Sequence, residues 1–244
     1  MDRDSNLYTF IFATAMVLVV ATLLAFTSQS LKELQNENVR KEKMQNILST
    51  VGISTDRDAA EDLFNKYIEK QYALKNDGSI NNSVDPFSQI KLSLELKKSP
   101  EQQNFPLYIA NIENSKYYII PIRGNGLWNA IYGYISIKED LNTIKGVVFD
   151  HIGETAGLGA EITQDWFKER FIDEKLFDSN NNLMGIMVSK TNNDPSNLDK
   201  NDHEVDAISG ATITGDGVSD MIKERIQHYV PFFNTLRSKQ IALN

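Results

Sequence analysis

Residues 130–137, with the sequence AIYGYISI, alternate between two sets of side chains, and this alternation decides the fold. The sets are Ile131, Gly133, Ile135 and Ile137 on one side and Tyr132, Tyr134 and Ser136 on the other. A period of two residues is that of a β-strand, whose successive side chains point to opposite faces of a sheet. We therefore predict a strand here, with its isoleucines facing a core.

Stretches of similar character lie on both sides of this strand. Residues 107–122, LYIANIENSKYYIIPI, predict two strands joined by a turn at Asn114–Ser115. Residues 143–153, TIKGVVFDHIG, follow after a short loop and predict a strand that pairs with 130–137. Because short connections join antiparallel neighbours, we predict a mostly antiparallel sheet.

Helical patterns flank the predicted strands. Apolar residues at helical spacing predict one amphipathic helix over Asp58–Leu74 and another that begins near Gly217. The first buries Ala59, Leu63, Phe64, Ile68 and Tyr72, and the second buries Val218, Met221, Ile222, Ile226, Tyr229 and Val230. Helices packed beside an antiparallel sheet define the α+β class.

The N-terminal part of the chain contains an apolar run, Leu7–Ser28, that carries no charged residue. As a helix it spans roughly 33 Å, which is enough to cross a hydrocarbon layer of about 30 Å. A cleaved secretory signal is the alternative, but its apolar run is shorter and its leader is basic. The sequence therefore favours a transmembrane helix followed by an α+β domain, with a mixed, mostly antiparallel sheet and flanking helices.

Basic residues near the anchor bear on its orientation. The apolar run is followed by four basic residues, Lys32, Arg40, Lys41 and Lys43, whereas Arg3 alone precedes it. The positive-inside rule, taken by itself, places the large domain in the cytoplasm.

Composition limits the chemistry that the chain can perform. A net charge of −8 and a pI of about 5.0 argue against nucleic-acid binding, which needs a basic face. The absence of cysteine excludes disulfides, thiolate catalysis and cysteine-ligated metals within this chain. The three histidines are far apart and lack the paired spacing of a metal site. We therefore predict neither a metal site nor a catalytic side chain.

A small-residue motif, VDAISGATITGDGV, occupies residues 205–218. Within it, Ser209–Thr212 places hydroxyls among residues of almost no side-chain bulk. One interpretation is a phosphate site, because the amides and dipole of the following helix attract anions. The other is a simple helix start capped by Thr214 or Asp216. Spacing alone favours the capped start and does not exclude the phosphate site.

A second small-residue cluster, GETAGLGAEI, occupies residues 153–162. Three glycines and two alanines surround Glu154, Thr155 and Leu158. Such a backbone can approach a flat group closely, although an ordinary turn between a strand and a helix has the same composition.

Taken together, these stretches resemble the C subunit of the bacterial sodium-translocating NADH:quinone oxidoreductases over nearly the whole chain. The matching segments are the anchor, LQNENVRKEKMQNIL at 34–48, PIRGNGLWNAIYGYISI at 121–137, GETAGLGAEI and DAISGATIT at 206–214. In that family the Ser-Gly-Ala-Thr sequence is a flavinylation signature, in which FMN is joined through its phosphate to the threonine hydroxyl. The resemblance implies Thr212 as the acceptor and ranks Thr214 well behind it.

The resemblance also implies the surroundings of the flavin. The residues expected to hold FMN besides Thr212 are Ser209, Gly210, Ala211, Glu154, Thr155, Gly157 and Leu158. Asp206 matches the acidic residue that the flavin transferase reads when it attaches FMN from FAD with magnesium. Ala156 departs from the family, in which proline is usual here, but this change removes no functional group.

The resemblance further implies a function within a larger complex. The protein would relay electrons between an iron–sulfur centre held by neighbouring membrane subunits and the FMN of the B subunit, while the complex oxidises NADH, reduces quinone and exports sodium. The family places its flavin domain on the periplasmic face of the inner membrane, against the charge rule. Two alternatives stay open: the related G subunit of an RNF electron-transport complex, and a non-redox, membrane-anchored binding module.

These expectations divide the chain into three parts. Residues 1–30 are predicted to form the membrane anchor. Residues 31–95 are predicted to form a helical stalk and the N-terminal part of the extracytoplasmic domain. Residues 96–244 are predicted to form the covalent FMN-binding domain.

Overall fold

The computed structural model describes residues 5–241, and the chain divides into two compact units, Met1–Lys43 and Met44–Asn244. Helix α1 runs from Asn6 to Ser49. Its apolar part is not buried against the rest of the chain, and it is long and apolar enough to cross a membrane. Arg3, the basic residue that precedes the apolar run, lies outside the described residues.

A five-stranded antiparallel sheet forms the centre of the second unit, with its strands in chain order. The strands are β1 (Ile68–Leu74), β2 (Phe105–Ile112), β3 (Ser115–Asn125), β4 (Ala130–Lys138) and β5 (Ile144–His151). Ile135 of β4 pairs with Ile120 of β3 and Val147 of β5. The predicted strands and the antiparallel sheet are therefore confirmed.

Buried apolar side chains cover both faces of the sheet. On one face, Ile120, Ile122 and Ile135 belong to a core that includes α5 (Thr212–Gln227) and α6 (Val230–Ile241). On the other, Tyr108 and Ile119 join a smaller core with α2 (Ala60–Tyr67) and residues 44–48 of α1. The α+β class with flanking helices is thus confirmed.

Short elements complete the second unit. These are α3 (Leu92–Glu95), α4 (Asp165–Lys168), 3-10 turns at Pro100–Gln102, Gly159–Thr163 and Glu169–Phe171, and the parallel pair β6 (Met187–Val188) and β7 (Glu204–Val205). The turn over Glu169–Phe171 continues directly from α4.

The single helix predicted over Asp58–Leu74 is wrong in its second half. The helix ends at Tyr67, and Ile68–Leu74 forms β1, which pairs with β2. Ile68 and Tyr72 lie four residues apart, so they satisfy both the helical spacing and a strand with a period of two. Pairing with β2, which begins about 30 residues further along the chain, decides between the two.

The C-terminal helix also differs from its prediction. It begins at Thr212 instead of near Gly217, since the amide of Gly215 already donates to the carbonyl of Ala211 at 2.9 Å. The helix then ends at Gln227, and α6 begins at Val230. Pro231 lies in the first turn of α6, a position that proline tolerates because no helical hydrogen bond is lost there.

Candidate functional site

The two small-residue clusters meet in the folded chain, although about 60 residues separate them. Thr214 Oγ1 donates to Glu154 Oε2 at 2.6 Å, and both side chains are buried. A Cβ built on Gly210 would lie 2.7 Å from Leu158 Cδ2, and Gly210 has a φ of +72°. The positive φ favours glycine there, and the short distance shows that Leu158 packs directly on the Ser-Gly-Ala-Thr turn.

The hairpin between β3 and β4 contributes a third segment. The backbone N–H of Trp128 donates to Glu154 Oε1 at 2.9 Å, and its indole N–H donates to Thr155 Oγ1 at 3.1 Å. Trp128 as a residue remains 69% exposed. The sequence patterns did not assign this residue to the site. The available signal was a tryptophan in the glycine- and asparagine-containing segment GNGLWN, between two predicted strands.

Thr212 and Thr214 have different surroundings. Thr212 is exposed and is the first residue of α5, whereas Thr214 is 1% exposed and bonded to Glu154. Among residues 5–241, no side chain caps the start of this 16-residue helix by a hydrogen bond, so the capped start that spacing favoured is not observed. The first-turn amides of a helix have no intrahelical acceptor. An exposed hydroxyl therefore lies beside free N–H groups at the positive end of a helix dipole.

The carboxylate of Glu154 is held by protein donors on both oxygens. Burial alone would raise its pKa, but hydrogen bonds from Thr214 and from backbone amides, Trp128 first among them, hold the pKa below its usual range. A negative charge is therefore retained under the turn. The amide of Glu154 in turn donates to His151 Nδ1 at 3.1 Å, which ties the segment to the end of β5.

Asp206 is also buried, with 4% of its surface exposed. Its Oδ1 accepts hydrogen bonds from the amides of Asn193 and Asp194 at 3.0 and 3.2 Å. Oδ2 has no hydrogen-bond partner within the described part of the chain. Arg170 Nη1 donates to the backbone carbonyls of Asp206 and Ala207 at 2.7 and 3.3 Å. No sequence pattern indicated Arg170, which lies 36 residues from Asp206 and outside any motif.

Of the residues that the sequence assigned to the site, most reach a common surface. Six of them are exposed: Ser209, Gly210, Thr212, Thr155, Gly157 and Leu158. Three are buried: Ala211, Glu154 and Asp206. Exposed Trp128 and Ile213 extend this surface with apolar area. Within residues 5–241, no group of three or more histidine, aspartate or glutamate side chains is arranged to hold a metal ion.

A cleft borders the same hairpin. It has a volume of about 840 Å³ and runs from Gly126 and Trp128 towards Arg225 and His228. The His228 ring stacks on Phe105, and burial lowers its pKa to about 4, so the ring is uncharged at neutral pH.

Comparison with known proteins identifies similar chains. The FMN-binding domain family matches residues 126–227, a range that contains all the residues assigned to the site. The C subunit of the Na(+)-translocating NADH-quinone reductase of Neisseria meningitidis serogroup B is 30% identical to this chain over an alignment of 257 positions. The alignment covers 97% of this chain and 96% of that protein. The C subunit of the Haemophilus ducreyi enzyme is 28% identical over 91% of this chain and 90% of its own length.

A solved structure shows the same fold. The crystal structure of the C subunit of the Na(+)-translocating NADH-quinone reductase from Parabacteroides distasonis matches with a TM-score of 0.74 at 32% identity. The match covers 83% of this chain and 96% of that one.

Proposed function

Because the chain belongs to the family of the C subunit of the Na(+)-translocating NADH-quinone reductase, we propose that it is the membrane-anchored flavoprotein of such an oxidoreductase complex. In this proposal FMN is joined by a phosphoester bond to Oγ1 of Thr212. The family membership favours this function over the G subunit of an RNF complex and over a non-redox binding module.

The observation that carries the assignment is the difference between the two threonines of the motif. Thr212 presents an exposed hydroxyl at the uncapped start of α5, whereas the hydroxyl of Thr214 is buried and donates to Glu154. A phosphate on Thr212 would lie next to the free amides of the first helical turn, which favour negative charge. A phosphate on Thr214 would have to displace a buried hydrogen bond.

Attachment is a substitution at phosphorus. The bond between Thr212 Oγ1 and the phosphorus of the FMN half of FAD forms while the pyrophosphate bond breaks, AMP leaves, and the hydroxyl proton is released. The only carboxylate bonded to a hydroxyl of this motif in the described residues, Glu154, serves Thr214. Activation of Thr212 is therefore the task of a separate flavin transferase.

The remaining residues would hold and shield the cofactor. Bound FMN supplies electron transfer in one- or two-electron steps, and the protein sets its position and potential. Exposed apolar surface beside Thr212 comes from Leu158, Ile213 and Trp128. The backbone is left accessible by four small or polar residues, Ser209, Gly210, Thr155 and Gly157. Glu154 and Ala211 support this surface from below. A charge is fixed near it because both oxygens of Glu154 are hydrogen-bonded.

The placement of the protein follows from its anchor and its family. We infer that α1 crosses the inner membrane once and that the FMN domain, residues 96–244 with residues 31–95 before it, lies in the periplasm. The partners are the other membrane subunits, above all the FMN-carrying B subunit and the subunits that hold an iron–sulfur centre, and electrons pass between these centres through this FMN. The excess of acidic residues over basic ones gives no basis for a nucleic-acid partner.

Mass spectrometry after co-expression with a flavin transferase tests the attachment site. Thr212→Ala should abolish the covalent flavin, and Thr212→Ser should retain it. Thr214→Ala is the matched control and should keep the adduct, at a cost in stability of about 1–3 kcal/mol because Glu154 loses a donor. One tryptic peptide, residues 201–223, contains both threonines, so the variants and the fragment ions must separate them. An FMN adduct on the Thr212→Ala peptide would refute the assignment.

A further inference from the structure

Arg170 holds the chain immediately before the attachment motif. Its guanidinium Nη1 bridges the carbonyls of two consecutive residues, Asp206 and Ala207, at 2.7 and 3.3 Å. Hydrogen bonds from a charged donor are about twice as strong as neutral ones. The two carbonyls belong to a connection that runs from the end of β7 to the turn at Ser209–Gly210. Arg170 therefore fixes the backbone at the point where it enters the turn.

The guanidinium is itself held in place. The 3-10 turn that carries Arg170 is anchored by Phe167 and Phe171, which are both fully buried. The guanidinium carbon lies 4.9 Å from the centroid of the Trp166 ring, in a cation–π contact. Little freedom is therefore left for the side chain to lose when it binds the two carbonyls.

The backbone of Arg170 takes part as well. Its carbonyl accepts hydrogen bonds from the side-chain amide of Asn197 and from Lys200 Nζ, the latter at 3.2 Å. Both donors lie in the strap, which we define as residues 191–203, the polar loop before β7. Asp206 binds the beginning of the strap through the amides of Asn193 and Asp194. Arg170 and Asp206 thus fasten the strap and the entry to the motif to one another.

We propose that Arg170 is a positioning residue for flavin attachment, acting through the Asp206–Ala207 backbone to set the course of the chain that presents Thr212. This inference rests on the proposed function. Arg170 makes no bond in the transfer step, in which the Thr212 oxygen–phosphorus bond forms, the pyrophosphate bond of FAD breaks, AMP leaves and the hydroxyl proton is released. The same geometry gives Asp206 a structural part, because its carboxylate is buried under the strap.

Kinetics of attachment on the purified full-length chain, with transferase, FAD and Mg²⁺, test the proposal. Covalent flavin fluorescence after denaturing electrophoresis gives kcat and KM for the protein substrate. Arg170→Gln removes both the charge and the planar guanidinium, and Arg170→Lys keeps only the charge. Lys168→Gln is the matched control. Lys168 lies in α4, two residues before Arg170, and pairs with Asp165 at 2.8 Å instead of with the motif.

The expected result is a fall in kcat of at least about tenfold for Arg170→Gln, with KM little changed. Arg170→Lys should also be slow, because a compact ammonium on a flexible stem does not reproduce the planar guanidinium that stacks on Trp166 while its Nη1 reaches both carbonyls. Lys168→Gln should match the wild type. Thermal unfolding of each variant gives its folded fraction at the assay temperature, and the rate per folded molecule is compared.

Several results would overturn the proposal. The first is a kcat for Arg170→Gln equal to that of the wild type, and the second is a fall in kcat that the unfolded fraction of the variant accounts for. The third is a wild-type kcat for Arg170→Lys. The fourth is a change confined to KM, which would indicate that Arg170 contacts the transferase. If the wild-type chain itself acquires no flavin, the proposed function fails and this inference falls with it. If the wild type and Arg170→Gln are loaded equally, only this inference fails.

Discussion

Glu174, which binds the strap beside Arg170, makes the stability of the domain depend on pH near neutrality. Its side chain is fully buried, with Asn197 Nδ2 at 3.1 Å and Lys200 Nζ at 3.4 Å from Oε1. Its Oε2 has no hydrogen-bond partner within the part of the chain that the structure describes. Burial raises the pKa of Glu174 from 4.5 to about 7, and Lys200 and Asn197 offset this rise only in part.

The direction of the effect follows from proton linkage. Between pH 4.5 and 7 the folded chain holds a proton on Glu174 that the unfolded chain has released, so raising the pH destabilises the fold. The stability that neutral Glu174 contributes is fully present below pH 4.5 and is lost as the pH rises through about 7. At about 1.4 kcal/mol per pKa unit, the loss between pH 5 and 8 is about 2–3 kcal/mol.

Replacing Glu174 with glutamine should remove this dependence. Glutamine keeps an oxygen that accepts from Asn197 and carries no charge that must be buried. Thermal unfolding of the full chain in detergent, followed by tryptophan fluorescence from pH 5 to pH 8, measures the difference. The melting temperature of the wild type should fall relative to Glu174→Gln by roughly 5–10 °C over that range.

Glu169→Gln provides the control, because Glu169 is exposed in the neighbouring turn and its loss should leave the pH profile unchanged. Parallel profiles for the wild type and Glu174→Gln would refute the reasoning. So would a difference that grows towards acid pH, because it would mean that the native state prefers the charged carboxylate.

Two further predictions concern the cofactor and the anchor. Glu154→Gln should leave FMN attached and raise its midpoint potential by a few tens of millivolts, since removal of one nearby charge is worth on the order of 1 kcal/mol. An unchanged potential in a titration of the flavin absorbance would remove Glu154 from the flavin's surroundings. Deleting residues 1–30 should give a soluble, folded domain that stays without flavin in cells whose transferase is periplasmic. A flavinylated cytoplasmic product would contradict the periplasmic placement.

Local sequence patterns were sufficient for the elements that repeat a simple period. The alternation at 130–137 predicted β4, and the turn predicted at Asn114–Ser115 indicated the hairpin of β2 and β3. The turn itself lies one residue earlier, at Glu113–Asn114, and Ser115 already pairs with Ile112. The strand β1 was mistaken for helix because Ile68 and Tyr72 satisfy both periods and pairing with β2 is a tertiary effect.

The candidate site was less accessible to sequence reasoning. Spacing left Thr212 and Thr214 equivalent, and only the start of α5 shows that one hydroxyl is exposed and the other buried. The contact between Glu154 and Thr214 spans 60 residues, and that between Arg170 and Asp206 spans 36. Contacts between residues so far apart produce no periodic pattern in the sequence. Trp128 and Arg170 were therefore assigned to the site from the structure.

The chain order of the strands also fixes when the attachment site comes into existence. Strands β2 to β5 are joined by connections of two to five residues, so their pairing closes only small loops, while α5 and α6, which come later in the chain, bury one face of the sheet. The attachment site, in contrast, needs the start of α5 against the segment after β5. The paired strands therefore precede the proposed acceptor in chain order, and under the proposed function a covalent flavin on Thr212 would mark a molecule whose synthesis has passed through α5.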